Sequence, residues 1–116
     1  MKRLLVTGGR DYLDSYQVLR MLVQARDHLG DVGEITLVHG GARGADALAA
    51  ETAARLGMRV EAHPADWKRH GRAAGMIRNA EMVALGADLC IAFPGGEGTR
   101  NCVRRAMDAH IPVWAA

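Results

Sequence analysis

The chain has 116 residues, 49% hydrophobic and 24% charged, with a formal net charge of +2 at pH 7. This composition is typical of one globular domain and excludes an intrinsically disordered chain or a collagen-like repeat. Two cysteines cannot form a disulfide framework, and neither a signal peptide nor an apolar run of membrane-spanning length is visible, so a cytoplasmic protein without a membrane partner is expected.

The first half of the chain alternates predicted strands with predicted helices. Residues 3–7 form a short apolar run that stops at Gly8–Gly9, which is typical of a buried parallel strand. Helical spacing of apolar residues follows over 14–30, starting at an Asp cap and ending at a Gly. Residues 35–38 then predict a second strand, and residues 45–56 predict a second helix.

The second half repeats this alternation. Residues 58–62 predict a third strand, which Pro64 cannot extend because proline lacks the backbone donor, so a loop is expected to about residue 72. The remaining predicted elements are a third helix over 76–86, a fourth strand over 89–93, a last helix capped by Thr99, and a terminal edge strand over 111–114.

Five strands that alternate with helices predict an α/β fold with right-handed crossovers. We therefore expect a single Rossmann-like domain over residues 1–116, with a five-stranded parallel sheet in the order 3-2-1-4-5 and helices on both faces. Ligands of such sheets bind beyond the carboxyl ends of the strands. The sequence thus predicts that a binding site lies at the carboxyl ends of the strands.

Three glycine-bearing loops follow predicted strands, at residues 8–10, 40–44 and 94–99. A glycine loop that leads into a helix presents free backbone N–H groups and the positive end of the helix dipole, which together favour phosphate. The alternative is that each loop is only a tight turn. None has the spacing of a dinucleotide-binding fingerprint or a Walker loop, so neither a nicotinamide dehydrogenase nor a P-loop NTPase is indicated.

Two of these loops carry a family signature. Residues 38–46, Val-His-Gly-Gly-Ala-Arg-Gly-Ala-Asp, resemble the G-G-A-R-G-A-D signature of the SLOG superfamily, and residues 94–99 match its P-G-G-x-G-T loop. With residues 6–11 and 76–79, the match extends over nearly the whole chain and is nearest to the YspA-like, YpsA-related branch. More distant similarity is to the Lonely Guy phosphoribohydrolases and DNA-processing protein A (Smf). The resemblance implies a Rossmann-like domain that binds a nucleotide or a nucleotide-derived ligand.

The candidate ligand-binding residues lie in the three loops and on the third helix. They are Gly8, Gly9, Arg10, Gly40, Gly41, Ala42, Arg43, Gly44, Asp46, Arg78, Asn79, Pro94, Gly95, Gly96, Glu97, Gly98 and Thr99. Guanidinium groups of Arg10 and Arg43 suit phosphate oxygens, although either residue can equally be an ordinary surface arginine. Asp46 can brace its loop, the role we favour, or accept from a ribose hydroxyl.

Catalytic residues are harder to assign. The Lonely Guy enzymes carry the longer signature P-G-G-x-G-T-x-x-E, and the position of that glutamate is Cys102 here, preceded by Asn101. Arg78 and Glu97 are the remaining weak candidates, and Glu81 is a possible displaced acid. Cys102 can be a nucleophile activated near a helix N-terminus, but a small buried helix residue is the favoured interpretation.

The third helix poses a question about Arg78. The apolar stripe predicted to face the core is Met76, Ile77, Ala80 and Val83. Helical geometry then turns Arg78 and Met82 outward, so that Arg78 reaches a ligand only if the helix overhangs the groove or a second subunit covers it. Met82 on that outer side indicates a dimer contact.

Three functions remain open at this point. The leading one is a nucleotide-binding sensor or accessory module, in which Trp67 or Arg10 lies beside the base. The second is a phosphoribohydrolase with a displaced acid, and the third is single-stranded DNA binding, which the 4% aromatic content makes less favoured. We expect a homodimer or higher homo-oligomer. Because the histidines lack partners at metal spacing, neither a metal nor a required cofactor is expected beyond the nucleotide or phosphate ligand.

Overall fold

Five parallel strands form one sheet in the order β3-β2-β1-β4-β5. The computed structural model describes all residues from Met1 to Ala116. The strands are β1 (Lys2–Thr7), β2 (Ile35–His39), β3 (Arg59–Ala62), β4 (Leu89–Ala92) and β5 (Val113–Ala115). This arrangement confirms the predicted fold class and the predicted strand order.

Five helices connect the strands. They are α1 (Ser15–Leu29), α2 (Ala45–Leu56), α3 (Trp67–His70), α4 (Ala74–Ala84) and α5 (Glu97–Asp108). The carboxylate of Asp14 accepts a hydrogen bond of 3.0 Å from Gln17 N and so caps α1, as the sequence predicts. None of the helices has both the length and the apolar character needed to cross a membrane.

Alternate residues of the central strands divide the core into two halves, one on each face of the sheet. Leu4 and Val6 of β1 pack with α1 and α2 in the larger cluster. Leu5, between them in sequence, packs on the other face with α4 and α5. Helices thus cover both faces of the central strands, as a parallel sheet requires, and leave the ends of these strands accessible to a ligand.

Three local predictions need correction. The segment predicted as a loop to about residue 72 contains α3, whose first turn is capped because the Asp66 carboxylate accepts from Arg69 N at 3.1 Å. Helix α5 begins at Glu97 after Gly96, so Thr99 lies inside its first turn and does not cap it. The last strand begins after Pro112, although it lies at the edge of the sheet as predicted.

The predicted core face of the third helix is wrong in part, since Val83 is buried as predicted but Met76 is not. Met82 is 2% exposed and packs with the α4–α5 side of the core, whereas Met76 is 46% exposed. Helix α4 packs against α5 as well as the sheet, so its buried surface is rotated from the stripe that periodicity favours. Met82 therefore offers no contact to a second subunit.

An ion cluster links β1 to the end of β3. Arg3 Nη2 and His63 Nε2 each lie 2.6 Å from the Glu61 Oε2 atom. The hydrogen bonds from Arg3 and then His63 lower the pKa of Glu61 from its ordinary 4.5 to about 2.

This cluster should make the fold sensitive to acid. A carboxyl group with a lowered pKa in the folded state stabilises the protein above its unfolded pKa, and this contribution is lost as pH falls from 4.5 towards 2. Solvent screening of the partly exposed cluster limits the effect to about 1 kcal/mol. Urea unfolding of the wild type and Glu61→Gln should therefore differ at pH 7 and converge near pH 2. A difference in the free energy of unfolding that stays constant from pH 7 to pH 2 would contradict the lowered pKa of Glu61.

Candidate functional site

Three loops at the carboxyl ends of β1, β2 and β4 are joined by backbone hydrogen bonds. Gly9 is at the centre: its N–H donates to the carbonyl of Pro94 at 2.9 Å, and its own carbonyl accepts from Ala45 N at 3.1 Å. The loop after β1 is therefore held between the other two. This fixes the relative positions of their backbones before any ligand is present.

Close packing explains two of the glycines. A Cβ atom on Gly8 would lie 2.5 Å from the Cβ of Ala45, and a Cβ atom on Gly95 would lie 2.7 Å from Gly9 N. Both distances are shorter than real Cβ contacts allow, so any larger residue would push the loops apart. These glycines are required by the packing of loop on loop.

The joined loops form the floor of a cavity of about 420 Å³, which we call the first cavity. Twelve of the candidate residues line it, namely Gly8, Gly9, Arg10, Gly40, Ala42, Asp46, Arg78, Asn79, Gly96, Glu97, Gly98 and Thr99. Gly41 and Arg43 instead line an adjoining second cavity of about 390 Å³. Gly44, Pro94 and Gly95 line neither cavity and serve the packing of the loops.

The opposite wall of the first cavity comes from α3 and the start of α4. Trp67, Arg72, Gly75 and Met76 line it. Of these, the sequence predicts a ligand contact only for Trp67, and it places Met76 in the core. The guanidinium carbon of Arg10 lies 5.4 Å from the centre of the Trp67 ring, within the range of a cation–π contact. Arg72 follows a run of basic residues, but nothing in that run reveals that its segment folds back over the strand ends.

Arg78 is partly buried at the edge of the first cavity. Its Nη1 donates to the carbonyl of Gly40, and its Nε donates to Asn79 Oδ1 at 2.9 Å. Of the two conditions under which Arg78 was expected to reach a ligand, the structure meets the first, because the N-terminal half of α4 lies over the groove. Burial lowers the pKa of Arg78 from its ordinary value. No carboxylate lies within ion-pair distance of the guanidinium.

Asn79 connects Arg78 to the first turn of α5. Besides accepting from Arg78, it donates through Nδ2 to the carbonyl of Gly98 at 3.1 Å and to Asn101 Oδ1 at 3.2 Å. Arg105 Nε donates to the same Asn101 oxygen at 3.1 Å. Asn79 and Asn101 are each 4% exposed, so this network is shielded from water. It holds the Arg78 guanidinium in a fixed position relative to α5.

Asp46 organises the loop after β2. Its Oδ2 accepts from Gly40 N at 3.0 Å and from Ala42 N at 3.3 Å, and the residue is 6% exposed. Burial raises its pKa, while the two backbone hydrogen bonds act in the opposite direction. His39, at the end of β2, accepts from Gly41 N at 3.0 Å through Nδ1, and burial lowers its pKa. The side chains of Asp46 and His39 thus accept hydrogen bonds from three successive backbone N–H groups of this loop.

The start of helix α5 has no side chain that accepts hydrogen bonds from its first backbone N–H groups. No side chain caps this helix, and residues 96–99 line the first cavity. The N–H groups in the first turn of a helix have no acceptor within the helix, and the helix dipole adds positive potential there. With Arg10, Arg72 and Arg78 on the other walls, the first cavity is suited to an anion.

The candidates for acid or nucleophilic chemistry are distributed unevenly. Glu97 is exposed and lines the first cavity, whereas Glu81 lines neither cavity. Cys102 is fully buried, and burial is the main cause that raises its pKa. A buried thiol with a raised pKa is a poor nucleophile, which agrees with the interpretation of Cys102 as a packing residue. No three His, Cys, Asp or Glu side chains are grouped as metal ligands would be.

The architecture defines a parallel α/β domain with glycine loops assembled over the ends of its strands. The family model described as "YspA, cpYpsA-related SLOG family" matches residues 2–70. The chain belongs to this family, as its resemblance in sequence indicates.

Individual relatives agree with this assignment. The Gene 61 protein of Mycobacterium phage D29 is 47% identical over 122 residues, which cover 97% of this chain and 94% of that protein. The structure is similar to that of TM1055, a structural genomics target, with a TM-score of 0.68 and 18% sequence identity. The match covers 97% of this chain and 72% of TM1055. The structure is also similar to that of the Moco Carrier Protein from Chlamydomonas reinhardtii, with a TM-score of 0.62 and 18% sequence identity. This match covers 98% of this chain and 75% of the Moco Carrier Protein. At these identities, the two structures show a shared fold.

Proposed function

We propose that this protein binds a small anionic ligand of the nucleotide class in the first cavity. The observation that carries the proposal is that Arg78 and the start of α5 line the same cavity. A partly buried guanidinium without a carboxylate partner lines the same cavity as an uncapped helix N-terminus. A phosphate group would satisfy both.

The remaining walls fit the rest of a nucleotide. Trp67 is 49% exposed and offers an aromatic surface on which a base can stack, beside the guanidinium of Arg10. The volume of about 420 Å³ is within the usual range of small-molecule sites. Membership of the SLOG family and the name of the Moco Carrier Protein, a structural neighbour, are consistent with a ligand-binding module. The role that we propose for such a module is that of a sensor or an accessory domain.

Thermal unfolding in the presence of nucleoside monophosphates, nucleoside diphosphates, NAD and ADP-ribose tests this proposal. A ligand at 100 times its Kd adds about 2.7 kcal/mol of stability, which should raise the Tm by about 10 °C in a domain of this size. Arg78→Gln should weaken binding by about 10-fold or more, because hydrogen bonds to charged groups contribute about 1.5–3 kcal/mol. Arg104→Gln, an exposed residue on α5 outside both cavities, should bind as the wild type does. No shift with any nucleotide would refute the proposal.

One observation supports a hydrolytic alternative. Glu97 lines the first cavity and forms no ion pair, whereas the Oδ2 atom of Asp46 accepts two hydrogen bonds from its own loop. A phosphoribohydrolase that used Glu97 would release free base from a nucleoside monophosphate, and Glu97→Gln would abolish the release. We expect binding without release in the same samples. Base released by the wild type but not by Glu97→Gln would establish the enzyme instead.

A further inference from the structure

The second cavity adjoins the first and differs from it in charge. The two cavities share Arg10, Gly40, Ala42, Trp67 and Arg78, so Trp67 and the two arginines stand between them. No carboxylate lines the second cavity, whereas Asp46 and Glu97 line the first. Arg43 adds a third guanidinium to the second cavity. Its lining therefore carries positive charge alone.

We propose that the ligand carries two separate phosphate-class groups, one in each cavity, joined by a body that passes Trp67. This inference rests on the proposed function and specifies the class of ligand. The first group lies between Arg78 and the start of α5, and the second lies beside Arg10 and Arg43. This is the chemistry of a nucleoside phosphorylated at two separate hydroxyl groups.

The two subsites bind their anions differently. In the loop beside the second cavity, the N–H groups of Gly40, Gly41 and Ala42 already donate to Asp46 and His39. An anion there is bound by guanidinium side chains, in contrast to the backbone donors of the first cavity.

Arg43 is available for this role. Its ion pair with Asp11 spans 3.2 Å, and the two side chains are 75% and 93% exposed. Exposed ion pairs contribute little to stability, so a phosphate group, which accepts two parallel guanidinium hydrogen bonds, can replace the Asp11 carboxylate.

Calorimetric titration can separate the two cavities. The probes are adenosine 5′-monophosphate, adenosine 3′,5′-bisphosphate and ADP-ribose, and the proteins are the wild type, Arg43→Gln and the Arg104→Gln control. The bisphosphate should bind the wild type about 10-fold more tightly than the monophosphate, and Arg43→Gln should remove most of this gain. ADP-ribose serves as a comparison, because its two phosphates are directly joined, and a gain with ADP-ribose alone would contradict two separate subsites. The Arg104→Gln control, on α5 outside both cavities, should bind all three probes as the wild type does.

The outcomes distinguish this inference from the proposed function. If the monophosphate binds but the bisphosphate gains no affinity, or if Arg43→Gln leaves the gain intact, the second subsite is refuted and the proposed function stands. If none of the probes binds, both fall. Unchanged thermal unfolding of Arg43→Gln without ligand would show that any loss arises at the site and not from the fold.

Discussion

Gly44→Ala should destabilise the folded state by about 4 kcal/mol, from a strained backbone and a steric clash of about 1–3 kcal/mol each. Gly44 has φ +77° and ψ −126°, a conformation that L side chains rarely adopt. A Cβ atom there would also lie 2.5 Å from the carbonyl carbon of Arg10. Because the loop after β1 is already bonded on both sides, it cannot move away without breaking the contacts of Gly9.

Gly30 provides a matched control for this experiment. It has φ +107° and ψ −136°, close to the conformation of Gly44, but nothing lies within 4 Å of an added Cβ atom. Gly30→Ala should therefore show the backbone strain alone, about 2 kcal/mol. Urea unfolding of both variants measures the difference. Equal losses would mean that the contact between Gly44 and Arg10 contributes nothing and that the loops are not tightly joined.

Asp46→Ala should cost about 3 kcal/mol, because it leaves two backbone N–H groups without an acceptor and each such loss costs about 1–3 kcal/mol. Both groups, on Gly40 and Ala42, donate to the same carboxylate oxygen in a nearly water-free position. Asp46→Asn keeps an oxygen at this position and should retain most of the stability. A loss as large in the Asn variant would show that the charge, and not the hydrogen bonds, stabilises the loop.

The pH dependence of the stability of the wild type and of Asp46→Asn provides a second test of this buried carboxylate. Because burial raises the pKa of Asp46 above its ordinary 3.8, the folded state binds this proton more tightly than the unfolded chain does. Ionisation therefore costs stability as pH rises from 3.8 through the folded pKa. The Asn variant lacks this ionisation, so its stability relative to the wild type should increase as pH rises through this range.

Strand order and loop positions were predictable because they depend on patterns that are local in sequence. Short apolar runs that end in glycine place β1, β2 and β4 correctly, and the topological rules for parallel sheets then bring their loops together. Twelve of the candidate residues accordingly line one cavity. The positions of Gly44 and Gly95 behind the cavity depend on how the loops pack against each other, which no motif records.

Helix α4 shows where local pattern is insufficient. Periodicity identifies one buried stripe, but α4 contacts the sheet on one side and α5 on another, so Met82 is buried and Met76 is not. The same rotation brings Arg78 to the carbonyl of Gly40, 38 residues away in sequence. Contacts of this kind depend on the packing of whole elements, and a single sequence does not contain them in readable form.

The hydrogen bonds of Gly9 link ligand binding to the completeness of the chain. They join loops that lie before α1, before α2 and before α5, so the floor of the first cavity is made of segments that are distant in sequence. No contiguous fragment that ends before β4 can contain this floor. Occupancy of the cavity is therefore a property of the finished fold, and a bound ligand would slow hydrogen exchange across the whole central sheet instead of at the loops alone.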